Sequence, residues 1–529
     1  MTPAPTPDTT TVRLDGVEHA AIERLLPAEA RAQLLDAVLD AFAAAGVPAF
    51  VVRADTSGRP ADPDVNALDP RTVGSVVGVR DEHRAAALAA IAGLAGPGMH
   101  LREAFGGRLT QPTLPLSADT LARVPHRCDG LLLARHWSVA GGLLRYGFSY
   151  GCLVEFWSAL PDEPGMWRSP TANVAGNAFH EDFLGPATIT LEGRERPSLA
   201  VFDRTFLDDV TFPIDAVYTW VDGDDPAWRE RMQRARAEVE GIEFHPEAQA
   251  ANRFQSRDEL KYSLRSLEMY APWIRHVYLV TDGQVPAWLD RSHPRITVVD
   301  HRDIYADPSV LPVFNSSAII TQLHHIDGLS EHYLYFNDDM FLGADARPEQ
   351  FWYGNGIAKV FSGSLPRAFG PAHHGDAPHF NITKNIRNVM EAGPGRSVTQ
   401  AIQHTPYPQL RSVNYEIEDR FAEVVAATAG HRFRHHSDIA LDQLFHYYAQ
   451  AVGKAVPGTI GYRYVNVGIS SSMTLLRRLL AARDATVFCL NDAPEPGTEP
   501  VPVEDVVAFL ESYFPMASSF ELPVSPGGR

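Results

Sequence analysis

An α/β fold is predicted for this chain: a Rossmann-like, mostly parallel sheet over residues 207–529, preceded by a smaller N-terminal α/β region and a strand-rich segment. Three observations predict it. Apolar, β-branched runs stand at Ile214 to Val221, Ile274 to Thr281, Ile296 to Val299 and Tyr333 to Phe336. Helical patterns separate several of these runs, as crossovers between parallel strands require. Finally, an acidic residue sits where each run ends: Asp222, Asp282, Asp300 and the pair Asp338 and Asp339. Ligands bind at the carboxyl edge of such sheets, and carboxylates gathered there cost free energy unless they meet a cation or hydrogen-bond donors. The pattern predicts a metal-dependent site for a phosphorylated ligand.

Composition narrows the setting. A chain of 529 residues exceeds one ordinary domain, and a 45% hydrophobic content can fill more than one core. By pattern it divides into a disordered tail at 1–11, a small α/β domain at 12–122, a strand-rich segment at 123–206 and the main α/β domain at 207–529. With 46 Lys plus Arg against 65 Asp plus Glu, the net charge is −19, which argues against a nucleic-acid partner. Cys128, Cys152 and Cys489 are too few and too scattered for a disulfide framework or a cysteine-rich zinc module, so a reducing cytoplasm fits best. The Pro- and Thr-rich start, Met1 to Thr11, lacks a charged segment followed by an apolar run, so no secretory signal is expected. The most apolar stretch, Gly141 to Leu160, contains Arg145 and Glu155, so membrane contact is expected to be at most peripheral, at the inner face.

In the N-terminal region, Leu35, Val38, Leu39 and Phe42 recur at helical spacing within Ala28 to Ala45, and Ala49 to Val52 reads as a strand. A second strand is expected at Ser75 to Val79, followed by an Ala-rich helix to Leu94 capped by Asp81. Short apolar runs broken by Gly and Pro, including Gly130 to Ala134 and Ala187 to Leu191, predict strands between Arg123 and Phe206. His180, Glu181 and Asp182 read as a solvated turn.

The strand from Ile214 is apolar enough to be buried on both faces, yet it contains Asp215, which has no partner among its neighbours in sequence. Pro226 suits the first turn of a helix, making Asp225 its cap. Leu260, Leu264 and Leu267 define the next helix, with Ser256 and Glu259 as a capping box at its start. Arg253, Arg257 and Lys261 cluster around that start, where free backbone N–H groups favour anions, and the following strand ends at Asp282. These residues are candidates for phosphate contact.

Asn315, Ser316 and Ser317 precede a helix with the apolar stripe Ile319, Leu323 and Ile326. It feeds the strand that ends in Asn337, Asp338 and Asp339. An acidic pair at a strand end suits a divalent cation on a diphosphate, and hard oxygen ligands favour Mg2+ or Mn2+. His404 lies in a Pro-constrained loop, His404 to Pro408, where an imidazole can act as a general base. Arg434, His435, His436, Ser437 and Asp438 lead into a helix whose face is Leu441, Leu444, Phe445 and Tyr448. With Ser437 as its cap, Arg434 and the two histidines would flank an oxyanion-binding helix start.

The blocks IDAVYTWVDGDDPAW, RFQSRDELKYSLRSLEMYAPWIRHVYLVTDGQVPAWL, LYFNDDMFLG and FRHHSDIALDQLFHYYA, with VFCLNDAPEP and FLESYFPMASSFE near the end, resemble the ordered blocks of the Stealth family from about Phe212 to Glu521. That family comprises bacterial capsule and exopolysaccharide phosphotransferases and the animal lysosomal-enzyme N-acetylglucosamine-1-phosphotransferase. The resemblance implies transfer of a sugar-1-phosphate from a nucleotide-diphosphate sugar donor to a glycan acceptor, with release of a nucleoside monophosphate. By motif position it implies roles for Asp215, Asp338, Asp339, His404 and Arg434, with His404 as the base. Two positions depart from or vary within the family. Ile320 stands where relatives commonly carry an acidic residue after Ala-Ile, and relatives can carry Asn at the position of Asp222. A nucleotide-sugar glycosyltransferase releasing a diphosphate, and a non-catalytic carbohydrate-binding scaffold, are the competing readings.

Overall fold

The computed structural model describes residues 10–55, 73–238, 257–366, 369–493 and 495–523. The chain divides into two compact units, Met1–Leu207 and Asp208–Arg529.

In the first unit, Thr11–Leu14 and Val17–Ile22 form a hairpin that joins Trp137–Val139 and Leu144–Tyr146 in a four-stranded sheet. Thr11 therefore lies in a strand and not in the expected tail, and residues 1–9 lie outside the described set. A larger sheet combines Ala49–Val52, Ser75–Arg80, Met99–Phe105, Gly130–Arg135 and Cys152–Ala159 with further strands. Ser75–Arg80 pairs in parallel with Cys152–Ala159. The segments expected as separate at 12–122 and 123–206 thus interleave in one sheet; their pairing is non-local and leaves no mark on local composition. Leu35, Val38 and Phe42 of helix Pro27–Ala44 share one buried core with Val77, Leu131 and Val154 of that sheet. Each such fully buried side chain contributes about 1.5–3 kcal/mol. Asp81 lies inside a 3-10 turn, Asp81–His83, ahead of helix Arg84–Ala92, and accepts from Arg84 rather than capping.

The elements of the second unit that bear on the site follow in this order, with further helices and strands between and after them: β1 (Ile214–Thr219), α1 (Pro226–Glu238), α2 (Glu259–Tyr270), β2 (Val277–Thr281), β3 (Ile296–Asp300), α3 (Ser316–Ile320), β4 (His332–Asn337), β5 (Met340–Leu342), β6 (Tyr407–Leu410), α4 (Arg411–Arg420), α5 (Leu441–Ala451), β7 (Tyr462–Asn466) and β8 (Val487–Asn491). Its central sheet runs β3-β2-β1-β4-β6, parallel except for β6. The mostly parallel sheet expected from sequence is present. β1 is apolar on both faces because both are covered: Ala216, Val217 and Tyr218 are fully buried. Leu260, Leu264 and Leu267 form the buried face of α2, and Leu441, Leu444, Phe445 and Tyr448 that of α5.

The register sets where chemistry can gather. Thr219 pairs with Asn337 and Thr281 with Asp300, so the ends of all four parallel strands share one edge. Because β6 is antiparallel, with Tyr407 opposite Tyr335, the loop that enters it returns to this same edge carrying His404. A small second sheet, β5-β8-β7, continues from β4 and pairs Met340 with Cys489.

Candidate functional site

Asn337 closes β4, and Asp338 and Asp339 form the turn into β5. Asp339 Oδ1 is buried and makes no hydrogen bond, although His404 Nε2 stands 3.3 Å away. Cys489 Sγ lies 3.3 Å from Asp339 Oδ2. His404 is anchored on both sides: its Nδ1 is 3.1 Å from the Tyr407 hydroxyl, and Asn337 Nδ2 is 3.3 Å from its Nε2. Burial disfavours the imidazolium at His404, but the Asp339 carboxylate outweighs it and raises the pKa. Asp338 is half-buried, and burial, Glu259 and Asp339 together hold its carboxyl well above the ordinary range. Burial and the same acidic edge keep the Cys489 thiol protonated.

These observations fit a divalent cation. An orphaned carboxylate oxygen and a second carboxyl that resists ionisation are relieved together by positive charge. The donor set is broader than the hard oxygens expected from sequence: His404 nitrogen and Cys489 sulfur lie within 4.8 Å of the Asp339 oxygen.

Asp442, in the first turn of α5, lies close enough to His404 to feel its charge. Burial pushes its carboxyl up to about 6, against the opposing pull of its own helix's N–H groups, His404 and Arg434. Its Oδ1 is buried without a hydrogen bond. It lines a small cavity with Ile320, Tyr333, Tyr335 and Asn414. Ile320, expected from sequence as a departure from the family's acidic residue, shares this cavity with the Asp442 carboxylate. Sequence reading passed over Asp442 and Cys489; the signal available for Cys489 was its place in an apolar run ending at Asn491 and Asp492.

A second group gathers at the start of α3. Asn315 is fully buried; its Oδ1 caps the helix at Ser317 N–H, and its Nδ2 donates to Asp438 Oδ2 at 2.8 Å. Asp438 also accepts the His435 N–H at 2.8 Å and faces His431 Nδ1 at 2.7 Å. Arg434 donates to Ser316 Oγ at 2.9 Å. Burial, with His431 and His436 close by, lowers the His435 pKa to about 4. α5 starts at Leu441 after Ala440, so Ser437 is not its cap; the Ser437 hydroxyl instead meets His435 Nδ1 at 2.7 Å. The helix expected through Ile326 breaks after Ile320 into a separate 3-10 turn, Leu323–His325.

Other candidates are occupied locally. Asp215 sits at the beginning of β1, opposite Tyr333, roughly 13 Å from the acidic edge at about 3.3 Å per residue. It is fully buried and held by Arg275 at 2.8 and 2.6 Å and by the Ser330 N–H at 2.7 Å. The structure therefore separates Asp215 from the group it was expected to join, and supplies the missing partner from 60 residues away. Asp300 caps the helix His301–Ile304, Asp222 closes an Asx turn on Asp224, and Asp282 pairs with Arg231 at 2.9 Å. Asp225 accepts the Ala227 N–H, as expected of a cap on α1. Arg257 is held by Asp492 at 2.6 Å and Glu259 at 3.2 Å. Glu259 Oε2 receives the Arg257 N–H, while Asp258 takes the N-cap position in a left-handed conformation and its side chain does not cap the helix. Lys261 lies half-buried 6.0 Å from the Tyr262 ring. Arg253 and Ser256 lie outside the described residues, so the proposed capping box does too.

Descriptions of Stealth protein conserved regions 1, 2, 3 and 4 match residues 212–240, 253–360, 403–451 and 477–529 respectively. The exopolysaccharide phosphotransferase SCO6021 of Streptomyces coelicolor is 37% identical over 525 residues, covering 94% of this chain and 91% of that protein. The chain belongs to the Stealth family. The exopolysaccharide phosphotransferase SCO2592 of the same organism is 42% identical over 74% of this chain, which spans only 42% of that longer protein. Among solved structures, the galactosyltransferase LgtC in complex with donor and acceptor sugar analogs aligns with 57% of this chain and 96% of its own. That alignment has 10% identity and a TM-score of 0.28, too slight to carry an argument. All four matched Stealth regions contribute to the second unit, and three of them supply the cluster of Asp338, Asp339, His404, Asp442 and Cys489. Among the described residues, no helix is long and apolar enough to cross a membrane.

Proposed function

We propose that this Stealth protein transfers a hexose-1-phosphate, such as N-acetylglucosamine-1-phosphate, from a nucleotide-diphosphate sugar to a hydroxyl of an acceptor glycan. The product is a phosphodiester of an exopolysaccharide or capsule, and a nucleoside monophosphate leaves. The observation that carries this reading is the His404 imidazole held 3.3 Å from the Asp339 carboxylate at the edge where the parallel strands end.

His404 Nε2 takes the proton of the acceptor hydroxyl as its oxygen attacks phosphorus; Tyr407 and Asn337 fix the ring, and Asp339 stabilises the imidazolium that forms. Arg434, steadied by Ser316, places its guanidinium to stabilise charge on the transferred phosphoryl group. Asn315, Asp438 and His435 form the frame that holds Arg434's loop against α3. Lys261 is the cation of the α2 start assigned to the donor diphosphate; Arg257 and Asp282 keep their ion-pair partners and shape the same edge. Asp338 and Asp339 would hold Mg2+ or Mn2+, which when bound neutralises the diphosphate and polarises its phosphorus.

Incubating purified protein with Mg2+ or Mn2+, a panel of UDP- and GDP-sugars and a hydroxyl-bearing oligosaccharide tests the proposal. Monophosphate release coupled to a new phosphodiester is the expected result. Release of a nucleoside diphosphate would mean transfer at the anomeric carbon, and no turnover with any donor would favour a carbohydrate-binding scaffold.

A further inference from the structure

We propose that His324, His325 and Glu418 form a site for a borderline divalent cation such as Zn2+, distinct from the acid pair at the carboxyl edge of the sheet. The two histidines end the 3-10 turn Leu323–His325 that follows α3, and Glu418 projects from α4. Both Nε2 atoms converge on a single oxygen: His324 Nε2 is 2.8 Å and His325 Nε2 2.9 Å from Glu418 Oε2. Two ring nitrogens and one carboxylate oxygen are the protein ligands of tetrahedral zinc sites that keep one position open, whereas Mg2+ and Ca2+ prefer oxygen alone.

The surroundings are those of a ligand set rather than of two loose surface histidines. His325 Nδ1 is 2.9 Å from the Ile304 carbonyl; donation there leaves Nε2 as the lone-pair nitrogen, the arrangement found behind metal-binding imidazoles. With that tautomer, a ring lone pair and a carboxylate oxygen face each other, and either a proton or a cation must lie between them. The Tyr415 ring packs 4.6 Å from His324 and 5.6 Å from His325, restricting both imidazoles. Arg411, the nearby cation, is engaged by the carbonyls of His324, Ile326 and Leu329, which fixes the turn. His324 is fully buried, while His325 is 18% and Glu418 28% exposed, so an ion and its fourth ligand enter from the solvent side. With metal–nitrogen bonds of about 2.0–2.1 Å, each nitrogen–oxygen contact need open by only about half an ångström. The bound ion would tie the turn after α3, whose start carries Asn315 and Ser316, to α4.

The test uses the full chain, stripped with a chelator and titrated with Zn2+ by calorimetry and with Co2+ by visible absorption. The expected result is one equivalent of Co2+ that shows d–d bands without a thiolate charge-transfer band, over and above any ion taken by Asp338 and Asp339. That signal is retained in Cys489→Ser and weakened at least about tenfold in both Glu418→Gln and His325→Gln. Far-ultraviolet circular dichroism of the metal-free variants checks folding; if Glu418→Gln fails to fold, the partly exposed His325→Gln carries the test. Loss of all Co2+ binding in Cys489→Ser, with a thiolate band in the parent, would move the ion to Asp339, His404 and Cys489 and overturn the proposal. Undiminished binding in His325→Gln, or no binding up to millimolar Zn2+, would overturn it as well.

Discussion

The two ends of one sheet treat their carboxylates in opposite ways. At the start of β1, Asp215 is fully buried and both oxygens are taken, by the Arg275 guanidinium and the Ser330 N–H. At the end of β4, Asp339 keeps a buried oxygen with no hydrogen bond, and Asp338 is held by burial, Glu259 and Asp339 in a state that resists ionisation. A satisfied carboxylate supports the fold; an unsatisfied one beside a base leaves room for a ligand to complete it. Burial alone does not distinguish the two, and partner count does.

Removing the unsatisfied end should produce the largest loss. Asp339→Ala is expected to abolish turnover while the melting temperature stays near that of the parent; an unchanged rate at saturating metal would erase the contrast. His404→Ala should cost about two to four orders of magnitude in rate and flatten the pH profile governed by the base. A near-parental profile would reject it as the base.

At the satisfied end the effect should fall on stability. Arg275→Met leaves the Asp215 carboxylate buried without its cation and is expected to destabilise by about 3–5 kcal/mol in denaturant titration. Asp215→Asn should cost less, about 1–3 kcal/mol, because the half-exposed Arg275 can return to water and the loss is chiefly a weakened acceptor. Neither should alter kcat/KM in the remaining folded protein.

The smallest effect has the opposite sign. Because the folded-state pKa of Asp338 is raised, its ionisation works against folding, increasingly so as pH climbs above the ordinary Asp value. Asp338→Asn, measured in chelator at neutral pH, should therefore stabilise by about 0.5–2 kcal/mol while impairing turnover, and the gain should vanish as pH falls below about 4. A destabilising result would place Asp338 with Asp215.

Strand positions and their edge were legible because burial on two faces forces a continuous apolar run, as in Ile214 to Thr219 and Val277 to Thr281. His404 and the acid pair were legible as strand-end and loop residues that the structure brings together. The fate of each other carboxylate was not. Asp222, Asp282 and Asp300 also follow apolar runs, but a turn, Arg231 and a helix cap occupy them. Asp215 appeared unpartnered because Arg275 arrives through a parallel crossover. Asp442 was hidden in a helix start where an acidic residue has an ordinary explanation. Cys489 meets Asp339 only through the pairing of β5 with β8, across 150 residues.

That last pairing also orders events during synthesis. The acid pair is made before β8, yet β5 finds its strand partner only in residues 487–491. A nascent chain that stops short of β8 carries both carboxylates and His404 but lacks the strand that pairs with β5. The contact of Cys489 with Asp339 is thus postponed until residues 487–491 have been made.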